Sequence, residues 1–140
     1  MNGKRLITAG IATSFLFLIL DALFGVLGGI IGDAVFGIPA GQPPMEKQTL
    51  GLLFELVNGF MLVVIYAFIH PSLPEKGWRK GLSYGLIVWG LRVVMWAFST
   101  YMLTDMSPIM IGITVFTGLI EMLIICVAVA VIYRDKKQNG

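Results

Sequence analysis

The sequence predicts an all-α membrane protein, a bundle of four transmembrane helices, and three observations carry that prediction. Apolar residues make up 57% of the 140-residue chain and charged residues 13%. With a mean hydropathy of +0.88, this composition lies outside that of a domain with a polar surface. Four apolar runs, roughly 6–31, 49–69, 82–104 and 108–133, each reach the ~20 helical residues needed to cross a hydrocarbon core. The basic residues cluster where an even number of spans places them on one side of the membrane.

The first span follows MNGKR and continues without a small-residue cleavage site, so it reads as a retained helix rather than a removed signal. Its far end, GVLGGIIG, holds Gly25, Gly28, Gly29 and Gly32 at overlapping small-xxx-small spacings, which let helix backbones approach closely. These glycines are the expected contact surface for a second copy or another membrane protein. The connection GDAVFGIPAGQPPMEKQ has the glycine and proline punctuation of irregular structure, either a passive link or a lid. The second span ends at His70, whose expected role is a cap near the helix C-terminus. HPSLPEKGWRKG then combines two prolines, Trp78 and three cations, a composition suited to lipid headgroups. The third and fourth spans leave only a short connection between them. Read as a whole, 1–140 is a single four-helix transmembrane domain with no room for a soluble catalytic domain.

Of ten Lys and Arg residues, Lys4 and Arg5 precede span one, Lys76, Arg79 and Lys80 separate spans two and three, and Arg134, Lys136 and Lys137 follow span four. The positive-inside rule then places both termini in the cytoplasm, with Lys47 outside and Arg92 within a span. The net charge of +2 is too small and too dispersed for nucleic-acid binding. Cys126 is the lone cysteine, which excludes an internal disulfide and a multi-cysteine metal site, and the lone histidine excludes a bis-histidine haem. No metal or cofactor is expected.

A parallel duplication of a helical hairpin is one reading of the two halves. KRLITAGI (4–11) aligns with RKGLSYGL (79–86), and LVNG (56–59) lies opposite LIEM (119–122).

Each span also carries polar groups that hydrocarbon should exclude. From the boundary on the side of the termini, a rise of 1.5 Å per residue puts Asp21 at about 22 Å, Glu55 at about 21 Å and Asn58 at about 17 Å. The same arithmetic puts Arg92 at about 16 Å and Glu121 at about 12–18 Å. These five residues occupy one layer and form the candidate proton- or ligand-binding cluster. Helical spacing adds Ser14 on the face of Asp21, Ser99 one heptad after Arg92, and Thr114 and Thr117 on the face of Glu121 as supporting polar residues.

A charge at the bilayer centre costs roughly 3 kcal/mol or more, so Arg92 is expected to face inward and meet a carboxylate, Asp21 or Glu55 by depth. Its planar fork can serve two carboxylates, and Trp89 and Trp96, which flank it, are either its cation–π partners or packing residues. Three acids against one arginine leave an excess of negative charge in a low-dielectric space. At least one acid is then expected to hold a proton, with Glu121 the first choice because it is most offset from Arg92. A plainer reading is interhelical glue, each acid hydrogen-bonded to Asn58, Ser99, Thr114 or Thr117.

Length and span count resemble those of small multidrug resistance exporters, which use a glutamate in the first helix. Here the first span carries Asp21 far along its length and the third carries an arginine, so the resemblance assigns no family. The function expected from the residues is transport or binding of a proton, cation or small solute. A structural or assembly subunit is the alternative, and an intramembrane isomerase or cyclase is third; enzymatic activity is the lesser expectation.

Overall fold

The protein is helical almost throughout. The computed structural model describes residues 3–37, 45–73, 77–104 and 106–133, and no strand occurs among them. Helix α1 spans Gly3–Phe36 and α2 spans Met45–Ile69, followed by a single 3-10 turn at His70–Ser72. The third span is built from α3 (Trp78–Val88), a π-helical stretch (Trp89–Val94) and α4 (Met95–Leu103), and α5 covers Pro108–Ile132. Four segments, Leu6–Val35, Gln48–Ser72, Trp78–Leu103 and Pro108–Ile132, are long and apolar enough to cross a membrane. Lys76, Arg134, Lys136, Lys137 and the loop segment 38–44, which the sequence offers as a lid, lie outside the described residues, as do the side chains of Arg5 and Lys47.

The element ends follow from local chemistry. Helix α1 runs past residue 31 and stops where Gly37 takes a left-handed conformation (φ 63°) and its N–H donates to the Asp33 carbonyl at 3.0 Å. Such a stop suits glycine, which has no Cβ to clash. The third span begins at Trp78, earlier than its apolar run, because Arg79 and Lys80 lie in the first turn of α3. Long basic side chains lie along apolar surface and turn their heads to the boundary. The Lys80 ammonium accordingly donates to the His70 carbonyl at 2.8 Å. Pro108 opens α5, where its missing N–H would have no helical partner.

Helices α1 and α2 pack as one antiparallel hairpin and α3 and α5 as another, with α5 also against α1. Side chains rather than backbones join α2 to the third span: the Tyr84 hydroxyl donates to the Leu62 carbonyl at 2.7 Å. The core sits in the half of the bundle that carries the termini, around the fully buried Phe17, Val63, Tyr84, Met122, Ile125 and Val129. Further along, Leu23, Val26 and Ile30 of α1 and Leu50, Leu53 and Phe54 of α2 are exposed. The bundle is therefore tight at one end and open at the other.

Glycine explains the tight end. A Cβ on Gly59 would lie 2.5 Å from Ser14 Cα, and one on Gly81 would lie 2.5 Å from Val127 Cα. A Cβ on Gly85 would lie 3.1 Å from the Met122 carbonyl oxygen. Backbones approach this closely only across glycine, and Gly81 and Gly85 form a small-xxx-small pair in α3. Gly25 and Gly28, by contrast, have nothing within 4 Å of an added Cβ. Burial repeats between the hairpins in the alignment that pairs Lys4 with Arg79 and Leu56 with Leu119. Ala9, Gly10 and Thr13 match Tyr84, Gly85 and Val88, all buried. Gly59, Leu62, Val63, Tyr66 and Ala67 match Met122, Ile125, Cys126, Val129 and Ala130, again all buried.

Gly59→Ala and Gly81→Ala are each expected to destabilise the bundle by about 1–3 kcal/mol, because the obstructing atoms are backbone and cannot rotate away. Gly25→Ala and Gly28→Ala should leave stability unchanged or slightly raised. Thermal unfolding of the four variants in detergent checks both halves of this statement; equal melting for all four would contradict it.

Candidate functional site

Arg92 sits inside the π-helical stretch Trp89–Val94, where widened turns replace α-helix in mid-membrane. Segments of this kind are uncommon and recur at functional sites. The widening changes which residues face inward. Before it, Gly81, Tyr84, Gly85 and Val88 are buried; after it, Ala97 and Thr100 are buried. Ser99, one heptad from Arg92, is exposed and its hydroxyl donates to the Met95 carbonyl at 3.0 Å. The expected heptad face does not continue through Arg92, because the π turns shift the register by about one residue.

The guanidinium makes two directional contacts. Nη2 donates to Glu55 Oε2 at 3.3 Å, and Cζ stands 4.6 Å from the centre of the Phe17 ring. The aromatic partner of Arg92 is thus Phe17 of α1. Trp89 gives its indole N–H to the Val115 carbonyl at 3.0 Å, and Trp96 is exposed. The pair links α2 to the third span where their backbones stay apart. It is half open: the Arg92 side chain is 34% accessible and that of Glu55 18%.

Asp21 stands one turn beyond Phe17 on α1 and is exposed. Arg92 acts electrostatically on Asp21, Glu55 and Glu121, and Asp21 and Glu55 both act on Glu121. These four charged side chains form one electrostatic group at the rim of the packed core. Among the described residues no three His, Cys, Asp or Glu side chains are grouped as metal ligands. Of the three acids only Glu55 contacts the arginine directly.

Glu121 on α5 is the buried acid, with 8% of its surface accessible. Its Oε1 has no hydrogen-bond partner among the described residues, nor do the buried atoms Thr13 Oγ1, Asn58 Nδ2 and Arg92 Nη1. Each of the four spans contributes one such atom. An unmet buried polar group costs roughly 1–3 kcal/mol, so three of them in the layer, with Thr13 about two turns below Asp21, call for an explanation.

The hydroxyls expected to satisfy the acids are bonded elsewhere. Thr114 donates to the Met110 carbonyl at 3.0 Å and Thr117 to the Ile113 carbonyl at 2.9 Å, both within α5. Ser14 donates across to the Leu56 carbonyl of α2 at 2.7 Å. The supporting residues thus serve the backbone, as short hydroxyl side chains in helices commonly do.

Thr13 and Phe17 belong to this region although the sequence reading passed over them. The available signal was their spacing, since Thr13, Phe17 and Asp21 stand at successive helical turns. The small pair Gly81 and Gly85 has the same four-residue spacing as pairs within the glycine run at 25–32, so spacing alone does not distinguish them. His70 caps α2, its Nδ1 donating to the Ala67 carbonyl at 3.1 Å. Its ring packs against Tyr66 and Tyr133 with centroids 5.7 and 5.5 Å away.

Removing the cation and removing the buried acid should differ. Arg92→Met leaves three acids with no neutralising partner and is expected to lower stability by about 2 kcal/mol or more. Glu121→Gln keeps the shape and removes an oxygen that accepts no bond, so a change within about 1 kcal/mol is expected. Equilibrium unfolding in mixed micelles separates the two, and a larger loss for Glu121→Gln would show that its carboxylate is a structural partner after all.

Comparison with protein-family models, with curated proteins and with solved structures gives no match for this chain.

Proposed function

We propose that the protein binds a small cationic solute or a proton at the layer formed by Asp21, Glu55, Asn58, Arg92 and Glu121, and passes it across the membrane. One observation carries this reading: Glu121 is buried at the floor of an acid-rich group and keeps an oxygen without a partner. Ionisable groups within membrane spans commonly mark ion and solute paths. Arg92 and Glu55 hold the helices in register, leaving Glu121 as the exchanging group and Asp21 as the acid at the open side. The exposed outer halves of α1 and α2 support an approach from that side.

Orientation follows the distribution of charge, with both termini in the cytoplasm. Ser72→Cys, between α2 and α3, and Met106→Cys, between α4 and α5, test it in intact cells. A membrane-impermeant maleimide should label the second and spare the first; the reverse pattern would invert the topology.

A second reading has its own observation. The empty space beside Gly25 and Gly28 suits a partner helix, as a subunit of a larger membrane assembly would need.

Reconstituted vesicles distinguish the two. With a pH-sensitive dye trapped inside and an imposed proton gradient, added organic or alkali cations are expected to dissipate the gradient through the parent protein. Glu121→Gln should reduce this flux at least about tenfold while keeping its melting temperature. If no cation produces flux above that of empty vesicles, transport is excluded and the assembly reading stands alone.

A further inference from the structure

A groove runs along the outside of the first hairpin, away from the polar layer. It encloses about 400 Å³ and is lined by Ile11 and Phe15 of α1 and Val57, Phe60 and Met61 of α2. Polar atoms at its floor are already paired, since the Ser14 hydroxyl donates to the Leu56 carbonyl. The second hairpin fills the corresponding place itself. Trp89 stands where the alignment of the halves puts Ser14, and its indole is fastened to the Val115 carbonyl.

The face of α1 that lines the groove leads, toward the termini, to a cation. Lys4, Thr8, Ile11 and Phe15 fall at spacings of four, three and four residues, which is one face of α1. Lys4 is exposed and precedes Ile11 and Phe15 by about 10 and 17 Å along the helix axis. Among the described residues no carboxylate lies at that end of the bundle, whereas Lys4, Arg79 and Lys80 all do. A cation at the boundary with an apolar groove about two to three turns deeper has the dimensions and polarity of a phospholipid.

We propose that the α1–α2 groove and Lys4 together bind one anionic phospholipid of the leaflet on the side of the termini. The phosphate meets Lys4 and an acyl chain lies against Phe15 and Met61. Charge selects this occupant over a second copy of the chain. A parallel pair of copies meeting at this face would bring two Lys4 ends together, whereas an anionic headgroup neutralises one. The inference is independent of the reading of the polar layer.

Native mass spectrometry tests it on the whole protein, transferred from detergent containing equal amounts of phosphatidylglycerol and phosphatidylcholine with the same acyl chains. One phosphatidylglycerol is expected to be retained in preference to phosphatidylcholine. Lys4→Gln should reduce that preference about fivefold, the equivalent of roughly 1 kcal/mol for one cation near an anionic surface. Met61→Trp, which fills the groove, should reduce retention of both lipids; Val57→Phe serves the same purpose if the first variant melts early. Equal retention of the two lipids by the parent would overturn the proposal. So would undiminished retention by a stably folded groove-filling variant, or a lipid-free dimer of the chain.

Discussion

A guanidinium within hydrocarbon must be surrounded by groups that tolerate it, and Arg92 is surrounded by contributions from several helices. Phe17 of α1 lies against its face, Glu55 of α2 accepts from Nη2, and Glu121 of α5 adds the field of a buried acid. The third span departs from α-helical geometry over the residues that include Arg92. Apart from the Arg92–Glu55 pair, the described ties between the second and third spans lie toward the termini, where Tyr84 meets Leu62 and Tyr66 and Lys80 reaches the His70 carbonyl. The desolvation demand of one side chain thus accounts for the Arg92–Glu55 link across the bundle, and it coincides with a local change of helix type.

The half of the bundle below Arg92 is assembled on a different principle. Lipid is as apolar as leucine, so helices gain little from burying leucine and more from close backbone approach. Gly59 on Ser14 and Gly81 and Gly85 on α5 supply that approach, and eight buried positions of the first hairpin match buried positions of the second. Tyr84, Ser14 and Trp89 each donate to a main-chain carbonyl of a facing helix, adding directional ties between helices that are already close. Above the polar layer Gly25, Gly28 and Gly51 make no such contact within the described residues, and Leu23, Val26, Ile30, Leu50 and Leu53 are exposed.

Between these two halves the polar layer is only partly satisfied. Interhelical glue, read strictly, would consume the hydrogen-bonding capacity of its members, as the Ser14 hydroxyl does. The hydroxyls of Thr114 and Thr117 instead turn back on α5, and one oxygen of Glu121 and one nitrogen each of Asn58 and Arg92 stay unbonded. Rigid structural networks in a low-dielectric medium tend toward completeness, because an orphan polar atom is costly there. The incompleteness of this one is the observation on which the proposed function rests.

The sequence by itself determined the number of spans, their approximate limits and the layer in which the charged residues lie. Hydropathy and helical rise are local properties that neighbouring helices do not alter. It also indicated that Arg92 would meet Glu55 or Asp21, since depth along a straight helix can be counted. It did not indicate that Ser99 would face outward, because a π stretch changes the face by one residue and no local pattern announces it. Nor did it show that the glycines at 81 and 85, rather than those at 25 and 28, would carry the close contacts within the chain. Only tertiary structure decided those points: which of several similar small faces is used depends on how two helices cross, and that is set by all four helices at once.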